Sequence, residues 1–96
     1  MVKEAAIISL FPVEEFFGEL LTLIESMLDK TRTFEGCEQA CLMRSDDPAE
    51  VVIFTLWSSA EAYQTYVDWR IESGGLLTVQ GMIEQDIKIK SYQVVA

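Results

Sequence analysis

Residues 51–70, VVIFTLWSSAEAYQTYVDWR, decide the fold. They open on a near-continuous apolar run, Val51 to Trp57, whose β-branched and aromatic residues read as a buried strand. Ser58 follows, with Glu61 three residues on, the S-x-x-E spacing of a helix capping box. A helix is therefore expected through AEAYQTYVDWR, stopped by Gly74-Gly75. Trp57 falls at the hinge between the strongest strand and a helix carrying Tyr63, Tyr66, Trp69 and Arg70. A pocket, if the chain has one, is expected there.

Upstream, Lys3 to Phe11 reads as a first strand buried on both faces. Pro12 suits the first position of a helix, and Glu14-Glu15 complement its dipole. Val13, Phe16, Phe17, Leu20, Leu21, Ile24, Met27 and Leu28 then recur at i, i+3, i+4, i+7, an apolar stripe ending near Lys30 or Thr31. Phe34-Glu35-Gly36 feeds a second strand, Cys37 to Arg44, and the turn residues Ser45 to Glu50 make it a hairpin with Val51–Trp57. Downstream, residues 76–83 suggest a short helix interrupted by Gly81. A last strand, Asp86 to Val95, changes parity between Ile89 and Tyr92. Either a bulge near Ser91 shifts its register, or both faces of its end are covered, which needs a partner chain.

The order β-α-β-β-α-β is the ferredoxin-like split pattern, an α+β fold with a four-stranded antiparallel sheet in a single domain over residues 1–96. Helices cover one sheet face. Because both parities of Val51–Trp57 are largely apolar, the bare face predicts a homodimer.

Ninety-six residues, half of them apolar, suffice for one small core. Sixteen acids against seven bases give a net charge of −9, which argues against nucleic acid and anionic membranes as partners. No signal-peptide pattern and no run of about 20 apolar residues is present, so a soluble, cytoplasmic protein is expected. Cys37 and Cys41, four apart along a strand, would stand about 13 Å from each other, too far to bridge. Without a single histidine, metal sites and Ser-His or Cys-His hydrolysis find no support. The chain carries no G-x-G-x-x-G, so no nucleotide cofactor is expected.

Three groups of residues resemble the antibiotic biosynthesis monooxygenase family of the dimeric α/β-barrel superfamily. They are Phe11-Pro12-Val13-Glu14-Glu15-Phe16-Phe17, then Phe34-x-Gly36-Cys37 with Asp46-Asp47-Pro48, and Trp57-Ser58-Ser59-x-Glu61-Ala62-Tyr63 with Tyr66, Trp69-Arg70 and Gly74. The resemblance implies a homodimer whose two sheets form a barrel, with a pocket between helices and sheet in each subunit. It further implies oxidation of a small aromatic or polyketide-like compound by O₂ without a cofactor. The chain departs from that pattern: it has no asparagine, and Tyr66 stands about where many members carry a histidine. Haem-degrading relatives need an axial histidine, which is absent.

Tyr63, Tyr66 and Arg70 lie at i, i+3, i+7 on one helix face. Arg70 would stabilise a phenolate and Tyr66 would hold or relay its proton, while Trp57, Phe17, Tyr63 and Trp69 would bind the ring. The competing reading is a set of half-buried core aromatics, with Arg70 paired to Asp68, Glu72 or a neighbouring chain. A non-catalytic ligand-binding or assembly module is the alternative function.

Overall fold

The computed structural model describes residues 2–96. The chain runs β1 (Glu4–Leu10), a 3-10 turn (Glu14–Phe16), α1 (Phe17–Thr31), β2 (Cys37–Asp46), β3 (Ala49–Trp57), α2 (Ala60–Ser73), α3 (Gly75–Gln80) and β4 (Lys88–Gln93). The strands form one antiparallel sheet in the order β2-β3-β1-β4. This is the expected ferredoxin-like α+β arrangement.

Residues 51–57 behave as their pattern dictates. Val51, Ile53, Thr55 and Trp57 are buried against the helices, while Val52, Phe54 and Leu56 are half-buried on the opposite, uncovered face. The core joins Leu10, Leu20, Ile24, Leu28, Ala40, Val51, Ile53 and Val79. Leu20, Ile24 and Leu28 come from the apolar stripe of α1, and Thr31 continues that stripe as a buried polar residue.

Three local expectations need correction. The N-cap of α2 is Ser59, not Ser58: Ser59 is extended (φ −159°, ψ 162°) and its Oγ accepts from the Ala62 amide at 3.1 Å. Ser58 instead gives its backbone N–H to the Gly36 carbonyl at 2.8 Å, which holds it to the loop before β2. Pro12 does not open a helix. It bridges to Ile83, and since proline has no N–H its neighbours make the bonds, Val13 N to Met82 O at 2.9 Å and Glu84 N to Phe11 O at 2.8 Å. The parity change in β4 is not a bulge either. Its pairing with β1 is unbroken from Ser9–Lys88 to Glu4–Gln93, and all six β4 residues are exposed.

Gly36 and Gly74 have positive φ, 91° and 76°. At Gly36 a Cβ would come within 2.5 Å of Ala62 Cβ, so only glycine lets the loop approach α2 this closely. Cys37 and Cys41 are both free thiols. No helix among the described residues is long and apolar enough to cross a membrane.

Candidate functional site

Between the sheet and the three helices lies a cavity of about 150 Å³. The sheet contributes Ile8, Leu10, Ile53 and Ile89, α1 contributes Ile24 and Met27, and α3 contributes Leu76 and Val79. The α2 wall carries Tyr63, Tyr66, Val67, Arg70 and Ile71. Apart from Arg70 and the two tyrosines, this wall has no polar side chain. Ile71 and Ile89 line the cavity yet are 60% and 58% exposed, which puts its mouth between α2 and the edge strand β4.

Arg70 is the one buried residue of α2, 9% exposed. Its Nε donates to Tyr66 Oη at 2.9 Å, and its Nη2 donates to the Met27 carbonyl at 2.6 Å and to Thr31 Oγ1 at 3.0 Å. Of the competing reading, the pairing with Asp68 or Glu72 is not made: no carboxylate among the described residues lies within ion-pair distance of Arg70. Its charge rests instead on the carboxyl end of α1, where the helix dipole is negative, and against the faces of Trp69 (4.7 Å) and Tyr66 (5.4 Å). Three of the five guanidinium donors are engaged. The two N–H groups of Nη1 have no protein acceptor among the described residues.

The hydrogen positions follow from counting donors. Thr31 Oγ1 donates to the Met27 carbonyl at 3.2 Å, so in its 2.9 Å contact with Tyr66 the tyrosine is the donor. The Tyr66 proton therefore points into the Thr31–Met27 relay, and Tyr66 accepts from Arg70 with a lone pair. Tyr66 thereby fixes the plane of the guanidinium. A proton passed along this chain would stop at a backbone carbonyl, which cannot hold it.

The hydroxyl of Tyr63, also on the cavity wall, makes no hydrogen bond among the described residues; its backbone N–H donates to the Ser59 carbonyl at 3.3 Å. Burial, then its neighbours Tyr66 and Glu4, raise its phenol above the usual 10.0, so it stays a neutral donor. Burial likewise raises the Cys37 thiol, against smaller opposing effects of the Gln39 carbonyl and Arg32.

The structure brings Tyr63, Tyr66 and Arg70 together on the cavity and leaves Trp57, Trp69 and Phe17 off its wall. Trp57 is wholly buried behind Tyr66 (ring centroids 4.9 Å apart) and Tyr63 (5.9 Å), a backing rather than a lining. Its Nε1 has no partner among the described residues, and neither does Thr55 Oγ1 beside it on the same strand face. Trp69 packs on Phe34 at 4.9 Å and covers Arg70 from behind. Phe17 lies under Arg44 at 4.7 Å, at the far end of α1. Sequence reading passed over Thr31 and Met27, which hold Arg70. The available signal was a polar residue, Thr31, on the apolar stripe of α1. Among the described residues no cluster of His, Cys, Asp and Glu could hold a metal ion.

Comparison with known proteins fits this architecture. The model of the family described as "Antibiotic biosynthesis monooxygenase" matches residues 5–68, which takes in Tyr63 and Tyr66 and stops two residues before Arg70. No curated protein sequence matches the chain. Among solved structures, Rv0793 from Mycobacterium tuberculosis superposes with a TM-score of 0.88 at 20% identity, over 98% of this chain and 96% of that one. A conserved protein from Methanosarcina mazei gives 0.86 at 14% identity over 96% and 92%. A crystal structure of an antibiotic biosynthesis monooxygenase gives 0.84 at 18% identity over 97% and 99%. At such identities these likenesses bear on the fold.

Proposed function

The chain belongs to the antibiotic biosynthesis monooxygenase family, and from that premise we propose that it oxidises a small aromatic or polyketide-like phenol with O₂ and no cofactor, as a homodimer joined through the uncovered sheet face. One observation carries this reading: a guanidinium nine-tenths buried, without a carboxylate partner, on the wall of an apolar cavity. A buried cation costs free energy unless it is compensated, and a ligand oxyanion is the partner such a site selects.

The chemistry then needs little of the protein. Arg70 favours the ionised phenol. The phenolate gives one electron to O₂, and the resulting superoxide joins the ring radical to form a C–O bond. Loss of water from that peroxide leaves a quinone, so one oxygen atom is retained and the other departs in water. The cavity wall offers no carboxylate or imidazole, so the phenol proton leaves to solvent through the mouth between Ile71 and Ile89. In this scheme Arg70 touches the reacting oxygen, Tyr66 is a positioning residue, and Tyr63 donates to the same oxygen or to the peroxide. Trp57, Trp69 and Phe17 support the site from outside its wall.

Oxygen uptake with a panel of phenols and anthrones tests this. Arg70→Ala should lower kcat about 100-fold or more, as loss of an oxyanion donor does. Tyr66→Phe should lower it about fivefold, the worth of one positioning hydrogen bond. Uptake that depends on the protein but is untouched by both changes would overturn the site. No uptake with any member would favour the second reading, a ligand-binding or assembly module. The absence of any histidine or asparagine from the sequence supports that second reading.

A further inference from the structure

We propose that the cavity between the sheet and the helices takes a short aliphatic chain, methyl end first, and leaves the polar group of that ligand in water at the mouth. The inference goes beyond the oxidation proposed above, because it needs no contact with Arg70 and no reaction. Its ground is the chemistry of the wall. Ile8, Leu10, Ile53 and Ile87 form the sheet side, and Ile24 and Val79 close the cavity from α1 and α3. Polar atoms could reach it only from α2, and most of those are turned elsewhere. Tyr66 Oη is tied to Thr31 and Arg70, while Arg70 Nε and Nη2 are spent on Tyr66, Thr31 and the Met27 carbonyl. What remains facing the cavity is almost entirely carbon.

Size and opening narrow the occupant. The cavity measures about 150 Å³. An apolar cavity of about that volume stays free of water, which finds too few polar partners in it, and takes up one benzene molecule. A saturated chain carries more hydrogen on each carbon, so about five carbons fill the same space. The cavity is also wet at one end only. Leu10, Ile24 and Val79 are sealed in the core, whereas Ile71 and Ile89 line the cavity and are largely exposed. The way in is therefore itself apolar, and a chain can pass it without losing a hydrogen bond. A ligand with one polar end keeps that end hydrated at the mouth. A ligand polar at both ends must bury one of them without a partner, which costs about tenfold or more in affinity.

Titration of the wild-type protein with straight-chain primary alcohols, propanol to octanol, tests this, with isoleucine and valine methyl NMR shifts as the local readout. Affinity should rise about fourfold per methylene up to about pentanol and then level off. The shifts should centre on Ile24, Ile53 and Val79. The pentanediol hydroxylated at both ends should bind at least about tenfold more weakly than pentanol. In Leu76→Ala, which enlarges the cavity at its half-buried α3 wall, the levelling should move out by about two carbons. Leu77→Ala, on the exposed side of the same helix, should leave it in place. An affinity that rises through octanol without levelling would mean association with exposed apolar surface and would overturn the proposal. So would a diol that matches pentanol, or alcohols that shift no methyl group inside the cavity. The two readings fail separately. Chain-dependent binding without oxygen uptake from any phenol leaves this inference standing and sinks the monooxygenase reading. Oxygen uptake with no levelling of the alcohol affinities does the reverse.

Discussion

Thr55 and Trp57 present the same problem in two chemistries: each points a polar atom into the helix-facing interior of β3 and finds no partner among the described residues. A buried hydroxyl without a hydrogen bond loses its hydration and gains nothing, so an isosteric apolar group should be at least as good. Thr55→Val is expected to be neutral or to stabilise by up to about 1 kcal/mol, a rise in Tm of up to about 4–8 °C in a domain of this size. A loss of more than about 1 kcal/mol by thermal unfolding would show that the hydroxyl has a partner in solution. Tyr63 makes a second residue-scale prediction. Its folded phenol is raised above 10.0, so between that value and its folded value the native state binds the proton more tightly than the unfolded chain. Stability is therefore intact below pH 10 and falls as pH rises through that window. Tyr63→Phe should flatten the decline, and an unchanged alkaline limb would refute the assignment. Cys37, raised from 9.0, begins to contribute in the same direction about one unit lower.

At the scale of elements, the entry to α2 shows how far a sequence pattern reaches. The strand, the helix and the stop at Gly74 are legible because apolar alternation, a serine cap and a glycine are local signals. Which of two adjacent serines caps is not local, because the choice depends on Ser58 being tied to Gly36, 22 residues away in the chain. Ser59→Ala should therefore cost about 1 kcal/mol, and Ser58→Ala less than about 0.5 kcal/mol, in denaturant titrations. Equal losses would mean the cap is shared. The site was readable to the same depth. The i, i+3, i+7 spacing of Tyr63, Tyr66 and Arg70 put them on one face of α2, and the structure keeps them there. Their tie to Thr31 and Met27 was not readable, because it joins α2 to the end of α1 across some forty residues of chain. Phe17 shows the same limit: its stripe was legible, but its position along α1 sends it to Arg44 and not to the cavity.

For the whole molecule the open question is the face the helices leave bare. By strand register that face carries Ile7, Val52, Phe54, Leu56, Cys41, Met43 and Tyr92, of which Ile7, Met43 and Tyr92 are 36%, 47% and 47% exposed. Its charges are as telling as its apolar residues. In a chain with sixteen acids, the middle of the face holds none, and its β4 edge presents Lys88 and Lys90. A sheet surface that is apolar at its centre and carries an acid only at its β2–β3 end, Glu50, lets two copies of a molecule of net charge −9 meet without burying carboxylates at the centre of the contact. Dimerisation there would be driven by apolar area and opposed by the repulsion between two chains of like charge. Added salt screens that repulsion, so the dimer should tighten as ionic strength rises, the reverse of an interface built on ion pairs. Phe54→Glu places a carboxylate at the centre of the face and should give a monomer at concentrations where the wild type is a dimer. Light scattering at micromolar concentration, at low and at high salt, reads both effects. A wild-type monomer at high salt would refute the association. A dimer untouched by Phe54→Glu would move it to the exposed edge strand β4, beside the cavity mouth at Ile89, where a second chain would then control entry.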